Sequence, residues 1–187
     1  MTPRTDTRQR FLDAAADLFH TQGYHATGLN QLVSAGGAPK GSFYFHFPGG
    51  KEQLAAEALA QSGEQLRELL AAALDTAGFD GLFEALGAVL ADSGYTRGCP
   101  IATIALDAGG ESDAIRAACA GGFESWRGAI GDHLRAEGIP AGRADHLATV
   151  ALALIEGGLL LARTQRDLAP LRTVATHLRT LLESELS

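Results

Sequence analysis

A chain of 187 residues is long enough to bury a hydrophobic core, and 46% apolar with 20% charged residues is ordinary for a globular protein. The formal charge of −7 argues at first against a nucleic-acid partner. No apolar run of about eighteen residues is present, and the polar N-terminus MTPRTDTRQR is not followed by an apolar signal core. Neither a membrane span nor secretion is therefore expected, and the two cysteines are expected to be free thiols in a cytoplasmic protein.

The charges are unevenly distributed along the chain. Residues 1–55 hold five Lys or Arg against four Asp or Glu and include both lysines, whereas the remainder holds ten against eighteen. This asymmetry predicts an N-terminal unit that meets a polyanion and an acidic body that does not. Arg4, Arg8 and Arg10 are interpreted as a solvated helix start, with an arm that touches phosphates as the alternative. The six histidines show no ligand-like spacing, so neither a metal site nor a cofactor is expected.

Alanine and leucine dominate and β-branched alternation is rare, which predicts an all-α protein. The first helix carries Phe11 and Phe19 on one apolar face and ends at Gly23, a good C-cap. Thr27 is predicted to cap a second, short helix, and Pro39 suits the first position of a third.

Residues 27–47, a short helix, a glycine turn and a second short helix, are predicted to form a helix-turn-helix unit. A long helix follows from about Lys51 to Ala77. Five more helices bring the total to about nine, and they are predicted at 79–93, 98–108, 111–137, 141–166 and 168–186. The predicted domains are residues 1–50 and residues 51–187.

Two stretches resemble a known family. TGLNQLVSAGGAPKGSFYFHFPGGKEQL, residues 27–54, resembles the DNA-binding helix-turn-helix of the TetR family of transcriptional repressors, above all in KGSFYFHF at 40–47. GCPIATIALDAGGES, residues 98–112, resembles the LmrA/YxaF-like branch. The resemblance implies an N-terminal three-helix DNA-binding domain, a C-terminal helical domain that binds a ligand, and a homodimer. Pro39 stands where members of the family often have Ser or Thr, which removes one hydroxyl that could contact phosphate.

The helix at 39–46 is then expected to enter the major groove of double-stranded DNA. Gly41 lets its backbone approach the duplex, while Phe43 and Phe47, four residues apart, anchor it on its own domain. Phe45 either touches a thymine methyl group or lies at the edge of the core. The residues expected to contact DNA are Thr27, Lys40, Gly41, Ser42, Tyr44, Phe45, His46 and Lys51.

Residues 79–137 are rich in aromatic and branched side chains, many of which are expected to be core. Because the resemblance implies an effector cavity, and such cavities are mostly apolar, an apolar or aromatic small molecule is the expected ligand. The predicted pocket residues are Phe83, Cys99, Ile104, Phe123, Trp126 and Ile155.

The last two helices are predicted to form the dimer. HLATVALALIEGGLLLARTQ is apolar almost all round, and LRTVATHLRTLLESEL has leucines at helical spacing, so a four-helix interface between two chains is expected. Packing inside one chain is the alternative. The predicted interface residues are Leu154, Gly158, Leu161, Leu171, Val174, Leu178 and Leu181.

These features together predict a ligand-responsive repressor that releases a palindromic operator when its effector binds. No nucleophile, base and orienting group stand out as a set, so the chain is not expected to be an enzyme. The alternatives are a helical protein-interaction adaptor and a redox sensor that uses Cys99 and Cys119 with the same DNA-binding unit. An activator would have the same sequence features.

Overall fold

The computed structural model describes residues 4–186, with side chains from 6 to 185, and over that range the chain forms eight helices and no β-strand. The all-α prediction is confirmed. The helices are α1 Arg4–Gln22, α2 Leu29–Ala35, α3 Lys40–His46, α4 Gly50–Asp92, α5 Pro100–Ala108, α6 Asp113–Ala136, α7 Ala141–Gln165 and α8 Ala169–Leu186.

Helix α4 contains a break that accounts for the predicted ninth helix. Ala77 (φ −143°, ψ 17°) and Gly78 (φ 60°, ψ −156°) leave the helical conformation. The positive φ at Gly78 is one that a residue with a side chain rarely adopts, so glycine permits the break. The helices predicted at 51–77 and 79–93 are therefore the two segments of α4.

The chain divides into two compact units. One contains the residues up to Gly63 together with Pro100–Gly122, and the other contains Glu64–Cys99 and the residues from Phe123 onward. Helix α5 belongs to the first unit because it packs on α1. This packing division differs from the functional boundary predicted at residue 50, which stays a prediction.

In the first unit, a cluster of aromatic rings joins α1 to α3. The ring of Phe11 meets those of Phe43 and Phe47 edge-to-face, with centroids 5.4 and 6.1 Å apart, and all three side chains are fully buried. The turn after α2 passes close to this cluster, because a Cβ at Gly36 would lie 2.3 Å from the Phe11 ring. The inward anchoring predicted for Phe43 and Phe47 is confirmed, and the turn requires glycine at position 36.

In the second unit, α7 packs along α8. Gly158 permits the close approach, since a Cβ there would lie 3.2 Å from Leu171 and 3.3 Å from Val174. By length and composition alone α7 is apolar enough to cross a membrane, a test that the core helix of a folded domain also passes. Part of this apolar character belongs to residues that are buried within the protein, among them Ala151, Ile155 and Leu159.

Candidate functional site

Helix α3 separates its side chains into two faces. Phe43 is fully buried, while Tyr44 is 46% exposed and Phe45 is 63% exposed. Lys40 and Gly41 are exposed as well, and Ser42 and His46 are half-buried. The structure therefore brings six of the predicted DNA-contacting residues, 40–42 and 44–46, together on one short helix. Of the two positions predicted for Phe45, the outer surface and the edge of the core, the structure shows the outer surface.

Gly41 has no internal reason to be glycine. A Cβ added there meets no heavy atom within 4 Å, and its backbone is not in the left-handed region. Glycine inside a helix is less favourable than alanine by roughly 0.5–1 kcal/mol. The residue thus keeps the outer surface of α3 bare at a small cost in stability.

Thr27 does not occupy its predicted place. The N-cap of α2 is Gly28, which has no side chain with which to cap the helix. The Thr27 hydroxyl instead donates to the Gly23 carbonyl at 2.7 Å. The predicted capping role is therefore wrong. Thr27 has no exposed surface and closes the end of α1, and its contact with DNA stays a prediction.

Lys51 is engaged within its own unit. Its ammonium group donates to the Tyr24 carbonyl at 2.6 Å and lies 4.0 Å from the centroid of the Tyr24 ring. Burial lowers the pKa of Lys51, an effect that the Asp107 carboxylate opposes. Burial raises the pKa of Tyr24, and the negative charges of Glu52 and Glu111 raise it further. Lys51 therefore fixes the start of α4 to the loop after α1, and its contact with DNA phosphate stays a prediction.

The turn between α5 and α6 contacts the same loop. The Asp107 carboxylate accepts a hydrogen bond from the backbone N–H of His25 at 2.9 Å, and the imidazole Nε2 of His25 lies 3.4 Å from Glu111. The Ser112 hydroxyl donates to Glu52 at the start of α4. Sequence reasoning missed this contact, because the partners are separated by 82 residues and no motif joins them.

Two arginines of α1, Arg8 and Arg10, have partners inside the first unit. Arg8 forms an ion pair with Glu57 and lies over the Phe47 ring, 5.4 Å from its centroid. Arg10 donates to the Gly37 carbonyl in the turn after α2 at 3.3 Å. Both side chains brace the unit, while the side chain of Arg4 lies outside the described residues.

One of the predicted pocket residues lines either of the two cavities described here, and the place of the others in a ligand pocket stays a prediction. A cavity of about 520 Å³ lies between the second segment of α4 and α8, and one of about 600 Å³ lies beside the break in α4. Phe83 lines the first of these. The five others line neither cavity, namely Cys99, Ile104, Phe123, Trp126 and Ile155.

Most of these five residues are core. Cys99, Trp126 and Ile155 are buried, and the Trp126 ring meets the ring of Phe123 edge-to-face at 5.7 Å. Burial raises the pKa of the Glu156 carboxyl, and the side-chain hydrogen bond with Cys99 partly offsets this rise. Ile104 is buried in the other compact unit.

Cys99 and Cys119 form no disulfide in the described part of the chain, and both are buried. Burial raises the pKa of the Cys119 thiol, which disfavours the thiolate that redox chemistry requires. Among the described residues, no group of three His, Cys, Asp or Glu side chains is placed to hold a metal ion.

Helix α7 presents an apolar face that residues 6–185 leave uncovered. Val150 is 44% exposed, Leu160 is 56% exposed and Leu161 is 51% exposed, and the exposed small residues Ala153 and Gly157 continue the stripe at helical spacing. A continuous apolar stripe of this kind is typical of a contact with another molecule.

Three of the predicted interface residues face inward instead. Leu171 and Leu178 are buried, and Gly158 packs beneath Leu171 within one chain. Their assignment to the interface is corrected on this ground, since they have little surface left for a partner. Leu154, Leu161, Val174 and Leu181 keep partial exposure, and their place at the interface stays a prediction.

Comparison with known proteins covers nearly the whole chain. Residues 11–58 match the family described as "Bacterial regulatory proteins, tetR family", and residues 76–177 match "Transcriptional regulator LmrA/YxaF-like, C-terminal domain". The chain is 36% identical to the HTH-type transcriptional regulator LmrA of Bacillus subtilis (strain 168) over 95% of its own length and 97% of the relative. It is 34% identical to the uncharacterized regulator YxaF of the same organism, over 99% and 100% of the two chains.

Solved structures agree with this similarity. The crystal structure of a TetR transcriptional regulator from Chloroflexus aurantiacus J-10-FL superposes with a TM-score of 0.78 at 31% identity, over 99% of this chain and 98% of the other. A regulator from Cytophaga hutchinsonii reaches a TM-score of 0.81 at 23% identity, over 99% and 97%, and supports the fold.

Proposed function

Since this chain belongs to the TetR family of bacterial transcriptional regulators, with an LmrA/YxaF-like C-terminal domain, we propose that it is a repressor that leaves its operator when a small effector binds. The observation that carries the proposal is the outer face of α3, where Lys40, Gly41, Tyr44 and Phe45 are exposed around an aromatic anchor. A helix of this kind fits the major groove, where its side chains reach base edges and phosphates.

The proposed surface assigns a role to each outer residue. Lys40 donates to phosphate or to a guanine edge, and Tyr44 and His46 donate to phosphate oxygens. Ser42 donates to a base or a phosphate, and the exposed Phe45 ring touches a thymine methyl group. Lys51, held by Tyr24, supports this surface by fixing the start of α4.

The experiment that tests the function is selection of bound fragments from random or genomic DNA. A twofold-symmetric regulator recovers pseudo-palindromic sites whose half-sites are spaced by one or more helical turns. Recovery of fragments without a common sequence, or binding that does not fall with added salt, would instead support the protein-interaction adaptor.

The effector acts through the difference between its affinities for the DNA-competent and the DNA-released states. Helix α4 is covalently continuous from the DNA-binding end of the chain into the helical body, and we assign to it the transmission of that change. The effector is a small molecule with a largely apolar or aromatic body, bound without chemical change, so mass spectrometry should recover it intact after incubation. A regulator of this kind works in the cytoplasm, where the DNA is.

Gly41→Ala is expected to move stability and DNA affinity in opposite directions. The new methyl group meets open space within the chain, so the free energy of unfolding should rise by up to about 1 kcal/mol. The same methyl stands on the surface that approaches the duplex, and operator affinity should fall by about tenfold. Urea denaturation and fluorescence anisotropy with labelled operator measure the two effects. Unchanged operator affinity would remove Gly41 from the DNA-binding surface.

We further propose that two chains pair through the exposed stripe of α7, Val150, Ala153, Gly157, Leu160 and Leu161. The stripe combines large apolar side chains with small residues that let two helices approach closely. Pairing through it would join α7 and α8 of each chain with those of the partner in a four-helix interface.

Leu161→Glu tests this pairing. In a twofold interface the substitution buries two carboxylates near each other, so the dimer Kd should rise at least about tenfold. Leu106→Glu is the matched control, because Leu106 is 82% exposed on α5 and lies outside the stripe. Sedimentation velocity should show monomers for the first variant and dimers for the control. Equal dimerisation of the two variants would contradict the assignment.

A further inference from the structure

The cavity between the second segment of α4 and α8 has the size of a ligand site. Its volume of about 520 Å³ lies within the range of roughly 300–1,000 Å³ that is usual for small-molecule pockets. Phe83, Gly87, Leu168 and Leu171 supply an apolar lining. Phe83 and Leu171 are themselves buried, so this lining belongs to the packed body of the domain and is held in place by it.

Gly87 keeps this cavity open. A Cβ at Gly87 would lie 3.6 Å from Leu168 and 3.8 Å from Leu171, which are ordinary contacts, and its backbone is not in the left-handed region. Neither packing nor conformation therefore requires glycine, although alanine would stabilise the helix by up to about 1 kcal/mol. What the missing side chain provides is space above the two leucines. Ala88 and Ala175, also on the cavity wall, are small in the same way.

The charged residues at the cavity fall into one paired set and one unpaired set. Asp80 and Arg179 form an ion pair at 2.5 Å and neutralise each other. Glu84 and Arg172 also line the cavity and are exposed, and their side chains form no ion pair or hydrogen bond with another described residue. The cavity thus offers one available carboxylate on α4 and one available guanidinium on α8.

We propose that this cavity, the α4–α8 groove, binds a hydrophobic zwitterion, a small molecule with an apolar body, one cationic amine and one carboxylate. The apolar part packs on Phe83, Leu168 and Leu171, Glu84 accepts from the amine, and Arg172 donates to the carboxylate. A ligand with a single charge would leave one of the two protein charges unmatched, whereas a zwitterion complements both. The proposal rests on the proposed function in one respect, since it names the chemical class of the effector.

Calorimetric titration of the full-length protein with three related dipeptides tests the ligand class. The probes are leucylphenylalanine, its N-acetyl form, which lacks the cation, and its C-terminal amide, which lacks the anion. The free dipeptide should bind, and each capped form should bind about three- to tenfold more weakly, since charge-assisted contacts at a partly exposed site are modest. Absence of binding by the free dipeptide, or equal binding of all three, would overturn the proposal.

Two conservative variants assign the charges. Arg172→Gln should weaken binding of the free dipeptide and leave binding of the amide unchanged, because the amide has no carboxylate to lose. Glu84→Gln should weaken binding of the free dipeptide and leave the N-acetyl form unchanged. Both substitutions are at exposed positions, so circular dichroism should show the fold intact. A variant that weakens all three probes equally would contradict the assigned role of that residue.

Gly87→Leu, which fills the groove, should abolish dipeptide binding. Gly87→Ala is the control that keeps the fold, and it should show a smaller loss of binding.

DNA binding is measured separately on the selected operator. If wild-type protein binds the operator but not the dipeptide, the groove proposal fails and the repressor proposal stands. If it binds the dipeptide but no specific DNA, the repressor proposal fails and the groove stands. If it binds both, leucylphenylalanine should release the operator from wild-type protein but not from Gly87→Leu.

Discussion

Replacing Lys40 and Tyr44 together with alanine is expected to lower operator affinity by about a hundredfold. Both side chains are exposed on the outer face of α3. A dimer presents two copies of each, and a specific contact to DNA is worth roughly 1–3 kcal/mol, so a smaller loss per contact already yields this factor. Helicity and dimerisation should stay unchanged because neither side chain is buried in the core. Fluorescence anisotropy with the operator recovered by selection measures the effect.

Arg116→Ala is the control for the loss of positive charge. It removes a cation from the same compact unit, but the side chain is 64% exposed on α6 and pairs with Asp113. Its operator affinity should stay within about threefold of the wild type. The salt dependence separates the two variants further, since removal of phosphate contacts lowers the slope of log K against log salt by about one per contact. Equal affinities for both variants would remove α3 from the DNA-binding surface.

Phe43→Ala is expected to destabilise the first compact unit by about 3–5 kcal/mol, the usual range for a fully buried phenylalanine. The Phe43 ring contacts the rings of both Phe11 and Phe47, and α3 has seven residues, too few to be helical without its tertiary contacts. Hydrogen exchange should therefore show loss of protection in α1 and α3. DNA binding should be lost with the fold of this unit.

Phe45→Ala supplies the matched control, because it removes the same side chain from the same helix at a position that is 63% exposed. Its free energy of unfolding should change by less than about 0.5 kcal/mol, as is usual for a surface position. An equal loss of stability in the two variants would contradict the assignment of Phe43 to the buried face and Phe45 to the exposed face of α3.

The sequence predicts the helices well because glycine, proline and periodic leucines mark where each one begins and ends. The break in α4 is also predicted, by the stretch AGFDG, in which Gly78 adopts a conformation that is unfavourable for other residues. The buried face of α3 can also be predicted from the sequence, because Phe43 and Phe47 lie on the same side of any helix that contains both.

Residue type alone was insufficient where a group has two possible partners. A threonine before a helix is a good cap, but Thr27 satisfies the carbonyl of Gly23 behind it instead of the amides ahead. Leu171 and Leu178 have the pattern of an interface, yet an apolar face does not reveal whether its partner belongs to the same chain. The Asp107–His25 contact joins segments whose approach depends on the tertiary fold.

Trp126 gives the second compact unit its own optical signature. It is the single tryptophan of the chain and lies in the second compact unit, whereas the first unit contains tyrosines, Tyr24 and Tyr44, as its ultraviolet fluorophores. Selective excitation of tryptophan therefore follows the unfolding of the helical body directly. Loss of the DNA-binding unit on its own should leave that emission largely unchanged while the far-ultraviolet dichroism falls, so the wild-type protein reports the order in which its parts melt without a label.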